Sequence, residues 1–130
     1  MPISTTTSFA LLIRTDGRFR LLDWPATEND RLKLLYAALD CDHIDAAQIT
    51  ERLTLWVDDE GMLNDSPANP CATRLYALHR PAHQTYYGHA LFTGGADAEG
   101  NTLGLTTDEA AHLVEMHLTA GRIPAQRTRH

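Results

Sequence analysis

The stretch SPANPCATR, residues 66–74, sets a thiol at what reads as the start of a helix. Asn69 suits the N-cap, and Pro70 suits the first helical position, where its missing N–H loses nothing. Cys71 then falls in the first turn, at the positive end of the helix dipole, which makes a thiol more acidic and more nucleophilic. A nucleophilic thiol also needs a base, commonly a His oriented by Asn or Asp. His79 and His83 lie beyond the far end of the same short helix, about 12 Å away. His89 and His43 could approach only from the sheet. Cys71 is therefore an outside catalytic candidate, and no catalytic set is expected.

Seven histidines raise a metal question that their spacing answers. His112 and His117 are five apart on a helix, about 140° around its axis, so they cannot clamp one ion together. There is no H-E-x-x-H pattern, and Pro81 interrupts the i, i+4 pair of His79 and His83. His117 sits on an apolar face and reads as a hydrogen-bonded boundary residue. No metal and no cofactor are expected.

The glycines of FTGGADAEGNTLGLTTDE precede a helix, a place where phosphates bind. The stretch lacks G-K-[ST] and G-x-G-x-x-G, and Asp97 and Glu99 would repel an anion. It reads as a flexible surface loop in which Gly94-Gly95 serves turn geometry. Trp56, on the outer side of a strand and near scattered arginines, suits a protein-binding patch unless a second layer covers it.

Composition narrows the field further. The 130 residues suit one domain, and 43% hydrophobic with 22% charged residues is ordinary for a globular chain. No apolar run approaches the ~20 residues of a membrane span, and no signal peptide is read at the start, so a cytoplasmic location is expected. Two cysteines, Cys41 and Cys71, make no disulfide framework. The net charge is −6, the arginines are scattered along the chain, and the one basic cluster read is Arg122, Arg127 and Arg129. Direct nucleic-acid binding is not expected, because it needs a basic face. One lysine against ten arginines, with much Ala, Asp and Thr, has the look of a high-GC, actinobacterial genome.

These residues must be placed by eight elements. Ser8–Thr15 and Arg18–Asp23 read as strands joined by a two-residue Asp16-Gly17 hairpin. Thr27 caps a helix whose buried stripe is Leu32, Leu35, Tyr36 and Leu39, ending near Cys41. His43–Ile49 and Leu53–Val57 are the next strands, and Pro70–Leu78 the second helix. Gln84–Thr93 is the fifth strand, with Gly88 inside it. Thr106 and Glu109 form a capping box for the last helix, which Gly121 and Pro124 should stop. The expected fold is α+β: a single domain over residues 8–121, with a mainly antiparallel sheet of about five strands and three helices on one face, in the order ββα ββα βα. Residues 1–7 and 122–130 read as flexible tails.

Taken in order, LLIRTDGRFRLLDWP, LTLWVDDEG, NPCATRLY and YYGHALFTGGADAEGNTLGLTTDE resemble the domain of unknown function 3846 family over about Ser8 to Leu118. The resemblance implies a neighbourhood in Gram-positive bacteria and their phages, plasmids and integrative elements, and it implies no established activity. In that family the slot after Asn-Pro is commonly Arg, so Cys71 departs from the pattern and no shared thiol mechanism is implied. The leading expectation is a non-enzymatic accessory or regulatory protein of a mobile element or its host, acting by binding another protein, with an anti-defence role as one specific form. The alternative is a small-molecule or nucleotide-binding protein, with a cleft between the Asn69 helix start and the Gly94-Gly95 loop and charge from Arg74 or Arg80. A cysteine-dependent small enzyme comes third.

Overall fold

The computed structural model describes residues 8–61, 63, 65–80 and 84–127, of which 120–127 are described in backbone alone. What was expected of residues 1–7, His83 and residues 128–130 lies outside these. The elements are β1 (Phe9–Ile13), β2 (Phe19–Asp23), α1 (Glu28–Leu39), β3 (Ile44–Thr50), β4 (Leu53–Asp58), α2 (Pro70–Ala77), β5 (Ala90–Thr93) and α3 (Thr107–Arg127). One domain with a five-stranded sheet of order β2-β1-β5-β4-β3 results, every neighbouring pair antiparallel. The α+β class and the element order match the sequence reading. The last strand in the chain lies in the middle of the sheet, and all four of its residues are buried.

The helices do not share one face, as the sequence reading had them. One core joins Leu11, Ile13, Leu55 and Phe92 to Ala72 and Leu75 of α2 and to Ala110 and Leu113 of α3. The other joins Ala10, Leu12 and Leu91, on the opposite pleat, to Leu35 and Leu39 of α1. A strand buried on both faces needs apolar residues at consecutive positions. The runs Ala10–Ile13 and Ala90–Phe92 supply them, each residue at most 4% exposed.

Local signals account for most of the ends. Thr27 Oγ1 accepts the Asp30 N–H at 3.2 Å, and α1 closes on Asp40 with φ 52°. The buried stripe of α1 is turned from the expected one: Leu34 and Ala38 pack inward beside Leu35 and Leu39, while Leu32 and Tyr36 are exposed. Arg31 fixes that rotation, since its Nε donates to the Pro25 carbonyl at 2.8 Å and its guanidinium lies 5.9 Å over the Trp24 ring. Cys41 follows as helix-end packing. Its thiol is pushed up by burial first and by the Asp58 charge second, and it donates to the His43 carbonyl at 3.4 Å.

The β1–β2 loop has three residues, Thr15 to Gly17, rather than two. Arg14 N–H donates to Arg18 O at 2.8 Å, Gly17 N–H donates to Arg14 O at 2.9 Å, and Gly17 takes φ 89°, a bulge conformation that favours glycine. The fifth strand is shorter than expected because Gly88, at φ 82°, turns the chain. Residues 86–88 leave the sheet there and pair with 67–69 through the Ala68–Tyr87 bridge and the Gly88 N–H to Pro67 O bond at 2.8 Å.

The loop after β5 is built rather than floppy. Asp97 Oδ1 accepts the Glu99 and Asn101 N–H groups, each at 2.9 Å. The Asn101 N–H first, and then Glu99 N–H and the Asn101 side chain, hold the Asp97 carboxyl below its ordinary value, with slight burial acting the other way. The last helix runs on past Gly121 and Pro124, where a stop was expected. Proline's fixed φ is itself helical, so what it forfeits is one hydrogen bond and some ring clearance.

The capping box forms as read: Thr106 N–H donates to Glu109 Oε1 at 2.9 Å, and Glu109 N–H donates to Thr106 Oγ1 at 3.1 Å. Arg52 Nε adds an ion pair to Glu109 Oε2 at 2.7 Å. Burial raises the Glu109 carboxyl, but the Thr106 and Arg52 bonds together outweigh it and hold the group below its ordinary value of 4.5. A folded value below the unfolded one gives stability that is present above the ordinary carboxylate range and lost as the pH falls through the folded value. Glu109→Gln should therefore cost about 1 kcal/mol at pH 7 and progressively less in acid, as read from urea unfolding at pH 7 and pH 3.

Candidate functional site

Asn69 is wholly buried, and every polar group it carries has a partner inside the protein. Its Oδ1 accepts the Ala72 N–H at 3.0 Å, which is the N-cap. Its Nδ2 donates to Ile13 O at 3.0 Å and to Gly88 O at 2.9 Å. Its backbone N–H donates to Tyr86 O at 2.8 Å, while its carbonyl accepts from Thr73 N–H at 3.1 Å and Thr73 Oγ1 at 3.0 Å. Thr73 Oγ1 in turn accepts the Tyr86 N–H at 3.0 Å. One side chain thus ties the end of β1, the start of α2 and the entry to β5. Every N–H of the residue is used and both its oxygens accept inside the protein, so the wholly buried side chain presents nothing to a ligand.

Gly94-Gly95 lies at the other end of β5, about 20 Å along an extended chain from Gly88. The expected cleft between Asn69 and this pair is not formed. The glycines answer to close packing instead. A Cβ on Gly95 would overlap the Glu51 carbonyl oxygen, and one on Gly94 would come within 2.7 Å of Gly104 O. A cavity of about 350 Å³ does open beside them, lined by Arg31 and Arg52. Both cations are already engaged, Arg31 with Pro25 and Trp24, Arg52 with Glu109. Arg74 is a half-buried residue of α2 and does not line that cavity. Arg80 reaches back to Gln48 O at 3.2 Å.

Cys71 takes the second position of α2 and is half-buried. It shares an open hollow with Gly17, Phe19, His117 and Leu118. The histidine that comes near is therefore His117, which no spacing argument places beside Cys71 because it lies 46 residues further on. His117 is 7% exposed, its Nε2 faces Gly17 O at 2.9 Å, and its ring meets Phe19 edge-on at 5.6 Å between centroids. With Nε2 bonded to a carbonyl, the ring locks α3 against the hairpin turn. Cys71 Sγ has no hydrogen-bond partner among the described residues. His89 is committed as well, with Nδ1 accepting the Thr15 N–H at 3.3 Å. No cluster of His, Cys, Asp or Glu among the described residues could hold a metal ion.

Trp56 is half-buried in the α1 side of the core, and its Nε1 donates to Thr93 Oγ1 at 2.9 Å. The second layer that covers it is α1, so it offers no exposed patch. Exposed apolar side chains lie elsewhere, among them Phe19 and Leu21 on β2 and Leu118 on α3, at 38%, 43% and 45%. Their pleat parity is readable in the sequence, but their exposure depends on β2 ending the sheet. At the opposite edge, Tyr86 is buried beside Asp45, Asp58 and Asp59, and burial first of all pushes its phenol up.

What the fold defines is a small antiparallel α+β module, covered by helices on both faces, with one hairpin edge open. The family model for the domain of unknown function 3846 matches residues 7–118, and the chain belongs to that family. Neither curated proteins nor solved structures yield a match. No helix among the described residues is long and apolar enough to cross a membrane.

The Asn69 junction makes two substitutions informative. Asn69→Ala leaves Ile13 O, Gly88 O and Ala72 N–H unpaired in the core, and should cost about 3 kcal/mol or more in urea unfolding. Asn69→Asp keeps the cap but sets a second acceptor against the two carbonyls, and should cost at least as much. An Asp variant within about 1 kcal/mol of wild type would show that the two Nδ2 bonds do not hold the junction.

Proposed function

We propose that the protein is a non-enzymatic, cytoplasmic accessory or regulatory protein of a mobile element or its actinobacterial host, and that it acts by binding another protein through the β2 edge. Anti-defence action is one specific form of this role. The observation that carries the reading is that β2 ends the sheet and that no strand among the described residues pairs with its outer side. Trp24 N–H bonds to Ser8 O, and Arg14 N–H to Arg18 O, so the even-numbered residues of β2 face β1. By the alternation of an antiparallel ladder, Phe19, Leu21 and Asp23 direct their N–H and C=O groups outward.

The other edge is treated differently. β3 carries a register irregularity between Gln48 and Thr50, and Arg80 covers Gln48 O. Bulges and covering groups are among the ways sheets prevent unwanted pairing, and among the described residues β2 has neither while exposing Phe19 and Leu21. A partner strand added there would gain both backbone bonds and apolar contact.

The test is affinity capture from the native host with wild type and with the variant Leu21→Lys, whose helical circular dichroism should be unchanged because that side chain is exposed. A partner recovered by wild type and lost by the variant is expected. A partner recovered equally by both would remove the β2 edge from the reading.

A further inference from the structure

The arginines that look scattered in the sequence are gathered by the register of three strands. Arg20 stands directly opposite Leu12 across the β1–β2 pair. Arg14 follows two residues after Leu12, so it shares that pleat and lies diagonal to Arg20, within reach for long side chains. On the other side Ile13 pairs with Ala90, which sets His89 next to Arg14, and the Thr15 N–H to His89 Nδ1 bond confirms the adjacency. Together these groups line a groove of about 430 Å³ between the hairpin and α1.

Four features separate this groove from the other cavities. Arg14 and Arg20 are exposed and have no ion-pair partner among the described residues, whereas Arg31 and Arg52 are both engaged. Setting like charges diagonally on one pleat is unfavourable unless something compensates. The compensating acid on the wall is Asp40 alone, which leaves the groove a net positive charge in a protein of net charge −6. His89, with Nδ1 accepting, carries its proton on Nε2 and is a further donor. Beneath the cations lies an apolar floor of Leu12, Leu22, Leu34 and Ala38.

We propose that this groove is a binding site for a small organic anion. Its single carboxylate or phosphate head is held by Arg14 and Arg20, with His89 as an added donor, and its compact apolar body lies over Leu22, Leu34 and Ala38. Guanidinium groups bind such heads through paired hydrogen bonds, and the apolar floor selects for a body that a bare inorganic ion lacks. The site is on the opposite side of the hairpin from Phe19 and Leu21, so it stands or falls independently of the β2 edge.

The test is titration of the full chain, followed by NMR, with phenylacetate and phenyl phosphate against acetate, inorganic phosphate and benzyl alcohol. Both phenyl anions should shift the Arg14, Arg20 and His89 signals and bind at least about tenfold more tightly than the charged head or the apolar alcohol alone. The ratio of the two phenyl anions tells a carboxylate source from a phosphate source. Arg14→Gln and Arg20→Gln should each weaken binding about tenfold with melting temperature unchanged, Asp40→Asn should strengthen it, and Arg52→Gln should leave it alone. The proposal is overturned if the phenyl anions bind no better than acetate or phosphate, or if R14Q and R20Q bind like wild type. Equal loss in R52Q would overturn it too.

Discussion

The carboxamide of Asn69 is the constraint on which the rest of the molecule depends. A buried amide is stable only when its donors and acceptor all find partners, and here the partners come from three separate parts of the chain. Ile13 ends β1, Gly88 leads into β5, and Ala72 belongs to the first turn of α2. Because β5 is the central strand, fixing its entry point fixes the register of the sheet on both sides. The helix start that first suggests thiol chemistry is thus the clasp of the fold, and the Cys71 Sγ beside it has no hydrogen-bond partner among the described residues.

The order of the sheet has consequences for folding. β1 and β2 form a local hairpin, and β3 and β4 form another, but neither pair meets until β5 is inserted between them. Such long-range pairing slows closure of a domain relative to local pairing. It also explains why Gly88 departs from strand geometry: the chain must first reach the Asn69 junction and only then enter the sheet. On the far side the hairpin ends the sheet with one edge unpaired among the described residues, apolar on one pleat and cationic on the other. Both proposed contacts arise from that single placement.

Much of the local structure was legible in the sequence because its causes are local. Thr27, Asn69-Pro70 and the Thr106–Glu109 pair announce helix starts through side chains three residues from the N–H groups they cap. The strands of the two hairpins follow from alternation and turn residues. What could not be read were facts about register and layering. Whether α1 lies on the same face as α2 and α3 decides the burial of Trp56, and nothing near Trp56 states it. Arg14 and Arg20 join His89 only because residue 13 pairs with residue 90. The cap role of Asn69 shows in its neighbours, whereas its bonds to Ile13 and Gly88 depend on segments 56 and 19 residues away.

The most direct measurement is native-state hydrogen exchange at the Asn69 side-chain amide and the Ala72 backbone amide. If the junction holds the domain together, both protons exchange only through global unfolding, with protection equal to the slowest amides of β5. Exchange of these two protons through a local opening, well ahead of the β5 amides, would contradict that role and leave the sheet standing without its clasp.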